Sequence, residues 1–285
     1  MRTSDQRTSN RPGKDSGHGL GSSPAKELQK TGRESYAVAR RILLELFHRR
    51  RSLIFWAIFP AVVLVLNALI LEERAQLTTA EAFAFAAPPS LVGAALFFSC
   101  LGGSVATVVS EREHHTLKRL FLSPLSGFSY FLGIFLAHSV IGLGQSMLVG
   151  AIALSLRAEF TGNPWFSLLI ILLSILSYVG VGFILGTQLA RRTEDVNALV
   201  AAFGVPLLIL GGTFLPASLF PDSLLRIAEF NPVFHMNEAL LGIAANGDTF
   251  ADIAPHFWFL AIFAGSMVVL GWLSYQRMLQ VERRL

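Results

Sequence analysis

From residue 53 onward, long apolar runs alternate with short polar segments. The first run spans Leu53 to Leu71. The second spans Ala86 to Val109 and is opened by Pro88 and Pro89. The third spans Phe128 to Leu156, the fourth Trp165 to Leu189, the fifth Val196 to Phe214 and the sixth Ala254 to Tyr275. About 20 apolar residues cross the hydrocarbon layer as a helix, and each run is of that order. The pattern predicts an all-α integral membrane protein with six transmembrane helices. The organisation expected is a disordered tail over 1–32, an amphipathic interfacial helix over 33–52, a six-span domain over 53–275 and a cytoplasmic tail over 276–285.

Residues 1–32 are rich in Ser, Gly, Arg and Lys and carry little that a core could bury. The next stretch differs. Tyr36, Ala39, Leu43, Leu46 and Phe47 recur at helical spacing, while Arg40, Arg41, Glu45 and His48 fall largely on another face. That pattern suits a helix lying in the membrane surface. The alternative is a basic juxtamembrane stretch that only sets orientation.

Composition fits the pattern. Hydrophobic residues make up 53% of the chain and charged residues 15%, against about 25% charged in soluble domains. The net charge of +4 does not mark a nucleic-acid binder, because the basic residues flank the apolar runs and no aromatic-basic surface accompanies them. With the N-terminus inside and six alternating spans, 20 of the 23 Lys and Arg residues fall on the cytoplasmic side; Arg74, Arg157 and Arg226 do not. This bias places both termini in the cytoplasm of a multi-pass protein of the plasma (inner) membrane. Trp165, Trp258 and Trp272 lie near span ends, as interface anchors do, and Trp56 lies just inside the first span. The first apolar run lies too far from the N-terminus for a cleavable signal.

The segment between spans two and three carries the most information. It reads Ser110-Glu111-Arg112-Glu113-His114-His115-Thr116-Leu117-Lys118-Arg119-Leu120-Phe121-Leu122-Ser123-Pro124-Leu125. Ser110 followed by Glu113 fits a capping box, the acidic residues lie early and the basic ones late, and Pro124 stops the run. A short helix over 111–121 with Leu117, Leu120 and Phe121 on one stripe is predicted, suited to a groove on a soluble partner. The plainer alternative is a solvated connecting loop. In Glu111, Arg112, Glu113, Thr116, Leu117, Leu120, Ser123, Pro124 and Leu125 the segment resembles the cytoplasmic coupling helix of type-2 exporter permeases of the ATP-binding-cassette superfamily. It departs from them at His114 and His115, where that family has a basic residue and Gly.

A second resemblance lies between spans five and six, in Gly211-Gly212-Thr213-Phe214-Leu215-Pro216, Phe220-Pro221, Leu224-Leu225-Arg226 and Asn231-Pro232. It is similar to that family's extracellular re-entrant helices. Pro216, Pro221 and Pro232 forbid one continuous helix, and broken backbone at membrane depth needs protein or a water path around it. Pro216, Pro221, Asn231 and Pro232 are therefore candidates for a gate, with a structural external cap as the alternative.

The resemblance implies a division of labour. The chain would be the permease of an exporter for a drug-like, lipid-like or glycan substrate. No Gly-rich loop followed by Lys-Ser/Thr is present, so no cofactor is expected on this chain and ATP would bind a partner ATPase subunit. A second permease, identical or related, would complete the path. Coupling would rest on Glu111, Glu113, Thr116, Leu117 and Leu120.

Other chemistry is thin. His114 and His115 point apart on a helix and have no clustered third ligand, so no metal is expected. His138, an ionisable group within span three, is a candidate path residue. Gly142, Gly144, Gly180, Gly182 and Gly186 suggest close helix packing. Cys100, the one cysteine, reads as a packing residue. An intramembrane enzyme would need a nucleophile–base pair or a metal cluster, and neither motif is visible. A secondary transporter or channel would favour buried carboxylates and matching halves, and neither is clear.

Overall fold

The computed structural model describes residues 24–48, 50–114 and 125–282, and all the regular structure in them is helical. Helix α1 (Pro24–His48) precedes six helices long and apolar enough to cross a membrane. The first span is α2 (Arg50–Ala75). The second is continuous over Thr79–Glu113 and comprises α3 (Thr79–Pro89), a π-helical stretch (Ser90–Gly102) and α4 (Gly103–Glu113). Spans three to five are α5 (Gly127–Ser155), α6 (Pro164–Gln188) and α7 (Thr193–Leu210). A 3-10 turn (Ala217–Leu219), α8 (Asp222–Ala228), α9 (Pro232–Leu241) and a π-turn (Gly242–Asn246) lead to the sixth, α10 (Phe250–Glu282).

The second span is the hub. Nearly every residue of Ser90–Gly102 is buried, and spans one, three and four pack around it. The sixth span packs on the fourth, and α1 lies along the third. The outer faces carry large apolar residues open to the surroundings, among them Ile58, Leu66, Leu136, Met147, Phe203, Ile262 and Val269. Apolar surface on this scale needs lipid rather than water around it.

Several sequence expectations are corrected here. The second span begins at Thr79, not at Ala86. Thr78 starts it through a capping box: its hydroxyl accepts Glu81 N–H at 3.3 Å, and the Glu81 carboxylate accepts Thr78 N–H at 2.9 Å. Pro88 and Pro89 therefore sit inside the helix. They delete two donors, and the ladder continues beyond them in the wider π register. At the far end the helix does not stop at Val109. It runs to Glu113 and ends at His114, so Ser110 is interior and no capping box forms between it and Glu113. Ser110 and Glu111 stay helical there because neighbouring elements bury them.

The buried face of α1 is Ser35, Val38, Ala39 and Ile42, while Tyr36 and Phe47 point away. Of the expected stripe, Ala39 is buried and Leu43 and Leu46 are partly buried against the core, while Tyr36 and Phe47 are not part of it; Val38, which meets Gly133 of the third span, and Ile42 complete the buried face. The helix also starts at Pro24 rather than residue 33, and α10 continues past Tyr275 to Glu282. Trp165 and Trp258 are exposed at their span ends. Trp272 instead packs into a cluster with Phe131 and Tyr275.

Glycines bring the hub close to its neighbours and the fourth span close to the sixth. A Cβ on Gly182 would meet the Leu101 carbonyl oxygen at 2.5 Å, one on Gly186 the Val108 side chain at 3.0 Å, and one on Gly180 the Met267 Cβ at 2.7 Å. Gly142 faces Ile175 and Cys100 equally tightly. Gly144 has nothing within 4 Å, so it takes no part in the packing expected of it.

Candidate coupling junction

At the C-terminal end of α4, three consecutive residues reach three different parts of the fold. Successive side chains on a helix project about 100° apart, so Glu111, Arg112 and Glu113 fan outward. Glu111 is buried, its side chain only 7% exposed. One carboxylate oxygen accepts the Arg41 guanidinium of α1 and the other accepts the Tyr130 hydroxyl of the third span. Tyr130 stacks on Tyr275 of the sixth span at 5.5 Å between ring centres, and Tyr275 meets Phe183 of the fourth at 5.8 Å.

Arg112 turns toward the end of the fourth span. Its guanidinium donates to the Gly186 and Ala190 carbonyls, each at 3.1 Å. Helix ends carry unpaired carbonyls and partial negative charge, and a cation there answers both.

Glu113 turns to the start of the fifth span. Its carboxylate accepts Thr193 N–H at 3.1 Å and also the Thr193 hydroxyl. The residue at the cap position, Arg192, has no acceptor on its side chain. Glu113 supplies the missing acceptor and places its charge at the positive end of the helix. The carboxylates expected to open a short separate helix are thus tied to neighbouring helices.

Helix α1 holds the junction from both sides of the 115–124 segment. Arg41 takes Glu111 just before it. Just after it, the Glu34 carboxylate accepts Ser126 N–H at 3.3 Å and the Ser129 hydroxyl at 2.6 Å. These bonds, with Lys30 nearby, hold the Glu34 carboxyl below the usual range. Thr116, Leu117 and Leu120, the other residues expected to couple, lie outside the described residues, as does His115. Among the described residues no cluster of three or more His, Cys, Asp or Glu side chains is placed to hold a metal.

The other expected residues lie elsewhere. His138 is fully buried between spans two and three, with Nδ1 3.2 Å from the Ser99 carbonyl and Nε2 3.3 Å from the Thr107 hydroxyl. Gly103 and Trp56 lie around its ring. Pro216 and Pro221 precede the 3-10 turn and α8. Asn231 caps α9, accepting Val233 N–H at 3.0 Å, and donates to the Leu207 carbonyl of the fifth span at 2.7 Å; Pro232 is the first residue of the helix.

Sequence reasoning missed Glu34, Tyr130, Thr193, His235 and Asn237. Asn237 donates to the Gly211 carbonyl at 2.6 Å. His235 bonds the Glu229 carbonyl through Nε2 and lies 2.8 Å from His256 Nδ1 of the sixth span. The one sequence signal, for Tyr130, His235 and Asn237, was polarity inside an apolar stretch; Glu34 and Thr193 lie in polar stretches and gave none.

The family model described as ABC-2 family transporter protein matches residues 53–273. The chain belongs to that family. It is 27% identical over 172 residues to the linearmycin resistance permease protein LnrN of Bacillus subtilis, covering 59% of this chain and 44% of that protein. It is 22% identical over 190 residues to the probable multidrug ABC transporter permease YbhR of Escherichia coli, covering 66% of this chain and 51% of that one. The chain spans about half the length of the curated relatives it matches. Its place in the ABC-2 family makes it an ABC transporter permease, a multi-pass membrane protein rather than an ATPase.

Proposed function

We propose that this chain moves a drug-like or lipid-like amphiphile, or a glycan, out of the cytoplasm or inner leaflet. ATP would be bound and hydrolysed by a separate ATPase subunit, and a second permease, identical or related, would complete the path. Both termini and α1 lie on the cytoplasmic side in this reading, as the basic-residue bias favours. α1 is the interfacial helix, residues 115–124 dock the ATPase, and the segment between spans five and six is the outer gate. The printed names of the two relatives, one for linearmycin resistance and one for multidrug transport, support the drug-like class.

One observation carries this reading. The helix end entering the 115–124 segment is tied to α1, to the third span, to the end of the fourth and to the start of the fifth through Glu111, Arg112 and Glu113. A partner pushing on that segment would move four elements as a unit, which is what a rigid-body switch needs. Thr116, Leu117 and Leu120 would make the contact with the ATPase. At the other end, Asn231, Asn237 and His235 pin α9 to spans five and six, so Pro216, Pro221 and Pro232 serve as the breaks of a gate. His138 would line a path only after Trp56 and Gly103 part from it.

The test is co-purification from gently solubilised membranes, with transport measured on the same preparations. An ATP-binding subunit should accompany the wild-type chain. Leu117→Asp should release it and abolish transport while the permease still inserts. Transport that persists with no ATPase present would instead mark a secondary transporter or channel.

A further inference from the structure

A cavity of about 250 Å³ lies at the end of the bundle opposite the coupling junction, between spans two, three and four and α9. Pro88, Leu91, Val149, Gly150, Ile171 and Leu240 are among its walls. Two serine hydroxyls border it, but each is used by its own helix: Ser146 donates to the Gly142 carbonyl at 2.9 Å and Ser167 to the Asn163 carbonyl at 3.5 Å. Nothing in the lining asks for a polar ligand, and water needs two to four polar partners to stay in such a space. Drug-sized ligands occupy roughly 300–1,000 Å³, so the space suits one narrow chain rather than a whole amphiphile.

The opening points to the source of that chain. Gly150 lies one helical turn from Met147 and from Leu154, both on its own face, and these are 73% and 60% exposed. Exposed apolar residues on a membrane span face hydrocarbon. A Cβ on Gly150 meets nothing within 4 Å, so the cavity is open where span three faces lipid. Gly150 lies about 8 Å along the axis from the end of α5 at Ser155, the depth of the upper part of an acyl chain. Beyond that end, on the loop that supplies Phe160 and Gly162 to the cavity wall, stand Arg157 and Glu159, both exposed. A cation and an anion on one loop match a zwitterionic headgroup.

We propose that this cavity seats one acyl chain of a bilayer phospholipid, with its headgroup at Arg157. The force is not the hydrophobic effect, since the chain leaves one apolar medium for another. It is the recovery of dispersion contacts that an empty cavity forfeits, together with the high concentration of lipid beside the opening. A seated chain touches Leu240 and Ala244 and so props α9 against the second span.

The experiment uses the full chain in bilayers of phosphatidylethanolamine carrying a photoactivatable diazirine on one acyl chain, with labelled peptides mapped by mass spectrometry. Labelling around Ser146–Gly150 and Ser167–Ile171 should exceed that on the exposed face around Ile262 by about tenfold, a preference of about 1.4 kcal/mol. Gly150→Phe, whose Cβ would meet nothing within 4 Å and whose ring would occupy the opening, should remove that excess and leave the Ile262 face unchanged. Gly150→Leu is the second variant should Phe prevent insertion. Diacylglycerol with the same label should give a smaller excess, and Arg157→Ala should bring the phospholipid down to it. Equal labelling at the two places in the wild-type chain shows annular lipid alone and overturns the proposal. An excess that survives both Gly150 variants overturns it as well.

Discussion

Glu34 and Arg41 lie two turns apart on one face of α1 and hold opposite ends of the same short segment. Arg41 takes Glu111 before residues 115–124, and Glu34 takes Ser126 and Ser129 after them. Helix α1 is therefore a brace between the two ends of the segment proposed to dock an ATPase.

The two sides of the Arg41–Glu111 pair differ in burial, and this makes their substitutions unequal. The Arg41 side chain is 37% exposed and the Glu111 side chain 7%. Glu111→Gln leaves a guanidinium that can turn to water, and a neutral amide that still accepts from Tyr130. Its cost should be about 1 kcal/mol. Arg41→Met leaves a carboxylate with little water and one remaining partner, and should cost about 3–5 kcal/mol. Thermal unfolding of the two variants in the same detergent checks this. Equal losses would show that the pair does not act as a buried carboxylate with a half-exposed cation.

Acid should loosen the other end of the brace late. Glu34 has an ordinary value near 4.5 that the Ser129 hydroxyl and the Ser126 N–H lower. A carboxyl with a depressed folded-state pKa contributes its full share above the unfolded value, and that share is lost as pH falls through the depressed one. A spin-label distance between α1 and the third span should stay constant down to about pH 4.5 and lengthen only below it. In Glu34→Gln the distance should no longer change with pH in that range. Lengthening near neutral pH in the wild-type chain would contradict the assignment.

Gly182 and Gly144 were alike in the sequence and should behave oppositely. Gly182→Ala drives a methyl into the Leu101 carbonyl oxygen, a backbone atom that cannot turn aside. It should cost about 1–3 kcal/mol. Gly144→Ala meets open space and gains helix propensity, so it should be neutral or stabilising by up to about 1 kcal/mol. Unfolding midpoints of the two single variants decide the matter.

The six spans and their order were legible because hydrocarbon thickness imposes run length. The boundaries of spans three and four were legible to within a residue, and those of span two were not. Thr78 and Glu81 form a true capping box, yet Pro88 and Pro89 drew the start of span two inward. The box read at Ser110 and Glu113 satisfies the same spacing and is not one. Its residues are helical already, and the Glu113 carboxylate is taken by Thr193 of the fifth span. The family was legible in the 110–126 segment. The junction was not, because Glu111, Arg112 and Glu113 find Arg41, Tyr130, Gly186 and Thr193, between 19 and 80 residues away in the chain. Nothing in local periodicity encodes such partners.

Glu113 offers a test that separates the junction from the docking surface. Its carboxylate caps the fifth span from outside, through Thr193 N–H at 3.1 Å. Losing a cap acceptor costs about 1 kcal/mol, too little to unfold a six-span bundle. Glu113→Ala should therefore insert normally and, unlike Leu117→Asp, keep any ATPase subunit that accompanies the wild-type chain. Transport per ATP hydrolysed should fall, because the fifth span no longer moves with the end of the second. Glu113→Gln keeps one acceptor for Thr193 and should restore part of the loss. Reconstituted transport and ATPase rates, measured together for both variants, distinguish the outcomes. If Glu113→Ala sheds the ATPase, Glu113 belongs to the docking surface. If transport per ATP is unchanged, the fifth span receives its motion by another route.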